Sequence, residues 1–352
     1  MSEISLLKKS EEKEYTEMLH KSSESMLFHS IPYSNLLEEF LSVKSYFIVA
    51  KESGRVVAVI PVYIRKNKEY GNVMNSSPFI GSNGGFIVDS RLDYLEKREI
   101  KKELLKGYNE LAVEKNCVLS TIITSPFDRD ILFYEDNLDY RFRDYRIGYI
   151  KKFDVCFNSS EESILKTVEK RCRNSITRSK KNIELEYSDD FKDLFELHKK
   201  NIEGKGAFKP FRFFELVKKH FKEGEYELSY ALMNGKRIAG LLVFYFKNTV
   251  EYFTPAFDIE YKKEQATSFL IYEAMKKSIK KGFKYWNFGG TTLPSQRDVA
   301  YFKKSWGSDE YPYYYYTMKH QEINEMMNLK AEEILEKYKW FYVLPFNELR
   351  RK

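Results

Sequence analysis

Apolar positions recur along the 352-residue chain in two rhythms. Over Ser45–Ala50, Val56–Ile64, Val118–Thr124, Tyr226–Met233, Ile238–Phe246 and Val250–Phe257 they form short β-branched or aromatic runs that read as strands. Lys51-Glu52-Ser53-Gly54-Arg55 joins the first two as a hairpin. Asn234-Gly235, the strongest short hairpin signal in the chain, joins Tyr226–Met233 to Ile238–Phe246. Tyr140–Phe157 reads as one or two strands, Tyr285–Phe288 as a short one and Tyr311–Thr317 as another. Elsewhere the spacing is helical: Glu11–Lys21, Asp93–Lys115, Phe127–Asp136, Glu161–Lys181, Asp190–Ile202, Pro210–Phe221, Ala266–Lys281 and Gln321–Lys339. Ala266–Lys281 turns Phe269, Leu270, Ala274, Met275 and Ile279 inward and stops at Gly282, where a helix C′ glycine belongs.

The order repeats. Each half has a hairpin with a glycine turn (Gly54, then Gly235), further strands, a helix, and a β-branched or aromatic strand. Two copies of one α/β unit would leave that pattern. Length agrees, because 352 residues suit two domains of about 150 residues better than one core. The expected division is 1–150, 151–320 and a terminal helix over 321–352. With 27 Tyr and 27 Phe, the cores are built largely from rings. The net charge of +7 permits an anionic partner without demanding one.

Cysteines and histidines exclude several classes. Cys117, Cys156 and Cys172 are far apart and read as reduced structural thiols. The five histidines show no i,i+4 pair and no accompanying carboxylate cluster, so no metal is expected. Walker-type and dinucleotide glycine patterns are absent, as is any Ser-His-Asp spacing. Residues 1–13 lack the apolar core of a signal peptide, and no uncharged apolar run nears 18 residues. A cytoplasmic location is expected.

The chemistry concentrates in Tyr285–Gly307. The strand Tyr285–Phe288 is expected to end at Gly289-Gly290, where the backbone can take φ > 0 and leave room for a ligand. A polar loop follows, then a helical segment with Phe302, Lys303 and Trp306. Backbone donors and an ammonium at a strand end suit a carbonyl or phosphate oxygen. Phe288-Gly289-Gly290, a loop, then Phe302-Lys303-x-x-Trp306-Gly307 resembles the C-terminal signature of the FemAB-like transferases. The Trp-Gly ending is nearer the branch found with exopolysaccharide loci than the peptidoglycan-bridge enzymes. The resemblance implies an α/β fold of two tandem GNAT-like (acyl-CoA N-acyltransferase fold) domains. It also implies transfer of an acyl or aminoacyl group to an amine of a cell-envelope precursor.

Lys303 is then expected to polarise the acyl carbonyl, helped by the Gly289 and Gly290 amides, with Thr291, Phe302 and Trp306 around the substrate. Asp258 and Glu251 are weak candidates for the base. Lys166 to Lys181 holds seven cations against one acid, Glu169, which suits an anionic partner. Within it Arg171-x-Arg173-Asn174-x-Ile176-x-Arg178 resembles a family helix, which puts Arg171, Arg173 and Asn174 toward a phosphate. A solvated face opposite a core stripe would produce the same run. Lys205, Lys209 and Arg212 match a family loop that helps bind the acceptor, and His198 precedes them.

One departure bears on the donor. Asp258–Ala266 contains no glycine where ordinary acetyltransferases place a glycine-rich diphosphate loop. The expected donor is an acyl-CoA, with aminoacyl-tRNA as the alternative. The expected acceptor is a nucleotide- or lipid-linked sugar or peptide precursor, and peripheral membrane contact is compatible with it. A non-catalytic module that holds an anionic polymer or partner is the rival from another class.

Overall fold

The computed structural model describes residues 2–78, 80, 83–153, 161–202, 208–293, 295–345 and 348, the side chains of 161–163 excepted. Cys156 and Lys205 lie outside them. The chain divides into two units, Met1–Arg146 with Pro312–Lys352, and Ile147–Tyr311.

In chain order the first unit runs β1 (Glu3–Leu6), α1 (Glu12–Lys21), α2 (Ile31–Leu41), β2 (Ser45–Glu52), β3 (Arg55–Arg65), β4 (Asn72–Asn75), β5 (Ile87–Val88), α3 (Tyr94–Glu114), β6 (Cys117–Ile123), α4 (Ile131–Asn137) and the start of β7 (Phe142–Lys152). The second unit takes the end of β7, then α5 (Glu161–Thr167), α6 (Lys170–Ser179), β8 (Glu184–Ser188), α7 (Lys192–Ile202), α8 (Phe211–His220), β9 (Tyr226–Met233), β10 (Lys236–Phe246), β11 (Thr249–Phe257), α9 (Ala266–Lys280), β12 (Tyr285–Thr291) and α10 (Arg297–Ser305). β13 (Asp309–Lys319) returns the chain to the first unit, which ends with α11 (Asn324–Met327) and α12 (Ala331–Lys337).

The sheet of the first unit runs β1-β2-β3-β4-β6-β13, with β5 on β3. β4 and β6 are its parallel pair, and α3 is the crossover between them. A capping box starts that crossover: the Asp93 carboxylate accepts from Glu96 N–H at 2.9 Å and Glu96 accepts from Asp93 N–H at 2.8 Å. Leu104 and Tyr108 of α3 are buried in one cluster with Ile60, Ile122 and Phe133. The sheet of the second unit runs β7-β12-β11-β10-β9-β8, with β11 and β12 parallel and α9 crossing between them. Phe269, Leu270, Ala274 and Met275 of α9 pack with Val250, Trp286 and Phe288. Each unit therefore has antiparallel strands and one right-sized β-α-β crossover, the tandem α/β architecture expected from the repeated order. Asn234 and Gly235 take φ of 52° and 74°, which is the left-handed pair a two-residue hairpin turn needs.

Three expectations need correction. Glu161–Lys181 is two helices, not one. Glu169 is extended and its N–H donates to Ser305 O at 2.9 Å, so the chain leaves the helical path at Val168–Glu169. Gln321–Lys339 is not a single terminal helix either. Lys330 is extended, and Glu333 accepts its N–H at 2.8 Å, which caps a new short helix after the first has ended. The strand that was expected to stop at Phe288 continues through both glycines to Thr291.

Gly307 explains its own place in the Trp-Gly ending. Its φ is +72°, and a Cβ there would lie 2.2 Å from the carbonyl oxygen of Thr167. Gly307→Ala should therefore lower stability by roughly 2 kcal/mol or more, read as a fall in thermal midpoint. A midpoint equal to the parent would show that α5 and this turn do not pack as described.

Candidate active site

β11 and β12 pair for three residues only, Thr249 with Tyr285, Val250 with Trp286 and Glu251 with Asn287. Beyond that register they part. The causes are local. β11 carries a bulge opposite Leu242/Val243 and then Pro255, which has no N–H for a ladder. β12 has a register shift against β7 between Asn287 and Gly290. The last paired side chains meet each other: Asn287 Nδ2 donates to Glu251 Oε2 at 2.7 Å, and Asn287 Oδ1 accepts from Gly289 N–H at 2.9 Å.

Past the paired stretch, β11 borders a cavity of about 440 Å³ beside the first turn of α9, lined by Tyr252, Pro255, Phe257, Tyr261, Gln265 and, from α10, Phe302 among others. Its wall is mostly apolar and aromatic. A second hollow of about 630 Å³ is lined by Lys170, Arg171, Asn174, Arg178, Lys263 and Gln265, with no carboxylate among its lining residues. Gln265 belongs to both. It sits at the N-cap of α9 with φ 58° and gives no side-chain cap to the helix. The segment expected to replace a glycine loop is a short 3-10 turn, Ile259–Glu264, and Gln265 takes the left-handed conformation that glycine would take elsewhere.

Lys303 is buried, and its ammonium donates to Gly289 O at 3.0 Å, Gly290 O at 2.9 Å and Thr291 Oγ1 at 3.0 Å. This corrects the expected arrangement. Lys303 and the paired glycines do converge, but through the glycine carbonyls, and the three protons of the ammonium are directed at its own chain. The group fastens the end of β12 to α10 rather than facing an incoming carbonyl. Burial pulls its pKa down to about 7. Trp306, expected beside substrate, is fully buried against Phe288 and Phe302 and belongs to the core. Thr291 is likewise buried.

Other candidates separate. Arg171 and Asn174 reach the cationic hollow, whereas Arg173 donates to Val168 O at 3.2 Å, the carbonyl just past the end of α5. Arg212 is exposed on α8. His198 is buried between the rings of Phe208 and Phe214, and burial followed by the nearby Lys209 charge lowers its pKa to about 4. It is therefore neutral at pH 7. Lys209 lies over the Phe253 ring, and burial lowers it to about 8. Asp258 is no base. Burial alone would raise it, but the Lys236 ammonium at 3.0 Å and the Glu260 N–H hold it below the usual carboxylate range. Glu251 is the opposite case: buried, with Oε1 lacking a hydrogen-bond partner, it is raised by burial to about 8 despite the Asn287 bond.

Sequence reasoning missed the aromatic lining of the first cavity, the Asn287 link and Lys263 in the second hollow, whose Lys170 and Arg178 it counted only among the cations of the Lys166–Lys181 run. The alternation of β11 held a signal, because Val250 and Tyr252 face α9 and so turn Glu251 to the other side.

Residues 166–304 match the family model described as an acetyltransferase (GNAT) domain. Among solved structures the whole chain resembles FemX, with a TM-score of 0.71 at 16% identity over 89% of this chain and 96% of that one. The chain has the tandem GNAT fold that FemX shows. A tandem GNAT protein from the clavulanic acid biosynthesis pathway, solved without AcCoA, aligns with a TM-score of 0.53 at 10% identity, over 91% of this chain and 98% of that one. The C-terminal domain of a putative lysylphosphatidylglycerol synthetase from Agrobacterium fabrum aligns at 0.54 and 12%, over 93% and 96%. No curated protein matches the sequence. The matched segment has the fold of an acyltransferase domain. Among the described residues no group of His, Cys, Asp and Glu could hold a metal, and no helix is long and apolar enough to cross a membrane.

The buried Lys303 has a consequence for stability. Its folded pKa is below that of an unfolded lysine, so between about pH 7 and pH 10 the unfolded chain binds more protons and stability rises with pH. Lys303→Met should reduce that slope by up to one proton, ~1.4 kcal/mol per pH unit. Denaturant midpoints at pH 7, 8.5 and 10 read it; an unchanged slope would mean that the buried ammonium does not titrate in this range.

Proposed function

We propose that this double-GNAT protein moves an acyl group from coenzyme A to an amine on a cell-envelope sugar or peptide precursor. The observation that carries the proposal is the junction at Gln265. An apolar cavity beside the diverging end of β11 and a cationic hollow on α6 meet at the first turn of a 15-residue helix. A coenzyme A thioester has the complementary halves. Its diphosphate suits Arg171, Arg178, Lys170 and Lys263, together with the free N–H groups of a helix start. Its uncharged arm suits the aromatic wall. The envelope acceptor rests on the resemblance to the FemAB-like transferases alone.

In this reading the amine attacks the thioester carbonyl from the α7–α8 side of β11 and β12. A C–N bond forms, the C–S bond breaks, and the sulfur leaves with the electron pair. The amine loses one proton, and Glu251 Oε1 is its acceptor, because it is the carboxylate oxygen there without a partner. Asn287 holds the other oxygen in place. Lys303 positions the Gly289–Thr291 backbone that borders the reaction and does not touch substrate.

Aminoacyl-tRNA is the second reading. The cationic residues lie on an exposed helix face wider than one diphosphate requires, and an RNA backbone would use that width.

Two results test the proposal. Reversing Arg171 and Arg178 to Glu should weaken coenzyme A binding about ten-fold or more, by calorimetry at low salt. Retained binding would remove the diphosphate from that hollow, and binding of tRNA in place of coenzyme A would favour the second reading. Glu251→Gln should lower kcat by about 10²–10⁴ with little change in the KM for the donor. Because a carboxylate accepts a proton only when ionised, the parent's turnover should climb as pH approaches about 8, and the variant should lose that limb. Parental turnover in Glu251→Gln would reassign the base.

A further inference from the structure

We propose that the first unit has a separate site for a small organic phosphate, independent of acyl transfer. The site is a hollow of about 480 Å³ at the Asn72 end of β4, where α2, β2, β3 and the end of α3 come together. Lys44, Arg65, Lys66 and Lys115 line it with Tyr46 and Asn72, and no carboxylate is among the lining residues. The Tyr46 ring centre lies 5.3 Å from Lys44 Nζ and 5.5 Å from Lys115 Nζ. Arg65 is held in place: Nη1 donates to Leu41 O at 3.3 Å, Nη2 donates to Lys339 O at 3.1 Å, and the guanidinium lies over the Phe341 ring. Its Nε is buried with no hydrogen-bond partner.

The competing explanation is helix capping. α2 and α3 both end at this hollow, and cations are favoured at helix C-termini. Arg65 does cap α2. The charges still do not balance. Each helix end presents about half a negative charge, and Glu114, 2.6 Å from Lys115, adds one. About two negative charges face four positive ones. Lys44 and Lys66 form no ion pair among the described residues. An excess of about two positive charges in a recess walled by Val43 and Ile64 matches a phosphate monoester or a diphosphate. The volume exceeds a bare phosphate and falls in the range of small-ligand pockets, so the ligand carries a further group of sugar or nucleoside size. A soluble ester and a lipid headgroup share this chemistry.

The test is calorimetric titration of the whole chain with pyrophosphate, beside sedimentation with phosphatidylglycerol vesicles. Three proteins are compared: the parent, Lys44→Gln/Lys66→Gln, and Arg171→Gln/Arg178→Gln. Both lysines are exposed, so the first variant should keep its fold, which far-ultraviolet circular dichroism checks. The lysine variant should weaken one pyrophosphate binding event at least ten-fold, and the arginine variant should leave that event intact. Vesicle binding lost in the lysine variant, without pyrophosphate binding, assigns the site to a lipid phosphate. Binding of neither probe, or binding of either that the lysine variant leaves unchanged, overturns the proposal.

Discussion

β11 and β12 are held together for three residues and then held apart, and the chemistry of the second unit follows from that constraint. The Glu251–Asn287 bond closes the paired stretch. A bulge and Pro255 on one strand, and a glycine-rich irregularity on the other, keep the ladder from continuing. A parted parallel pair would expose unpaired backbone and tend to collapse. Here Lys303 fixes the far end of β12 to α10 by donating to the Gly289 and Gly290 carbonyls. The same residue is followed by Trp306 and Gly307, and Gly307 lets the chain pass against Thr167 O. The Phe-Lys-x-x-Trp-Gly run thus reads as the clamp that fastens the end of β12.

The first unit shows what happens where that constraint is absent. Its parallel pair, β4 and β6, aligns Asn72–Asn75 with Cys117–Thr121. Past the pair, the space is filled by the protein itself. Ser76 Oγ accepts from Ile123 N–H at 2.8 Å, and Gly84 N–H donates to Ile123 O at 3.0 Å. Asn75 exchanges two hydrogen bonds with the Tyr342 backbone. The two units therefore differ at the ends of their parallel pairs: hydrogen bonds within the chain fill the space past β4 and β6, whereas a cavity lies beside the diverging end of β11.

Most of the architecture was legible in the sequence because it is written in local codes. The Asn234-Gly235 turn, the inward stripe of α9 and the β-branched strands each depend on neighbours a few residues away. What was not legible depends on residues far apart in the chain. Glu161–Lys181 has an unbroken helical pattern, yet the Glu169–Ser305 bond divides it. The sequence marks Lys303 and the Gly289-Gly290 pair, but it cannot say whether those glycines offer N–H or C=O, and the structure shows the carbonyls on the ammonium. The missed Asn287 carries no motif; its part depends on the register that brings it opposite Glu251. The cationic helix was visible, but only the fold sorts Arg171 and Asn174 into the hollow and Arg173 onto its own backbone.

Hydrogen–deuterium exchange with and without saturating coenzyme A reads whether the cavity beside β11 receives the donor's arm. Exchange should slow over Tyr252–Phe257 and the first turn of α9 at Ala266–Phe269, with Tyr226–Met233 unchanged. Slowing confined to other segments, with β11 unaffected, would show that the arm binds elsewhere.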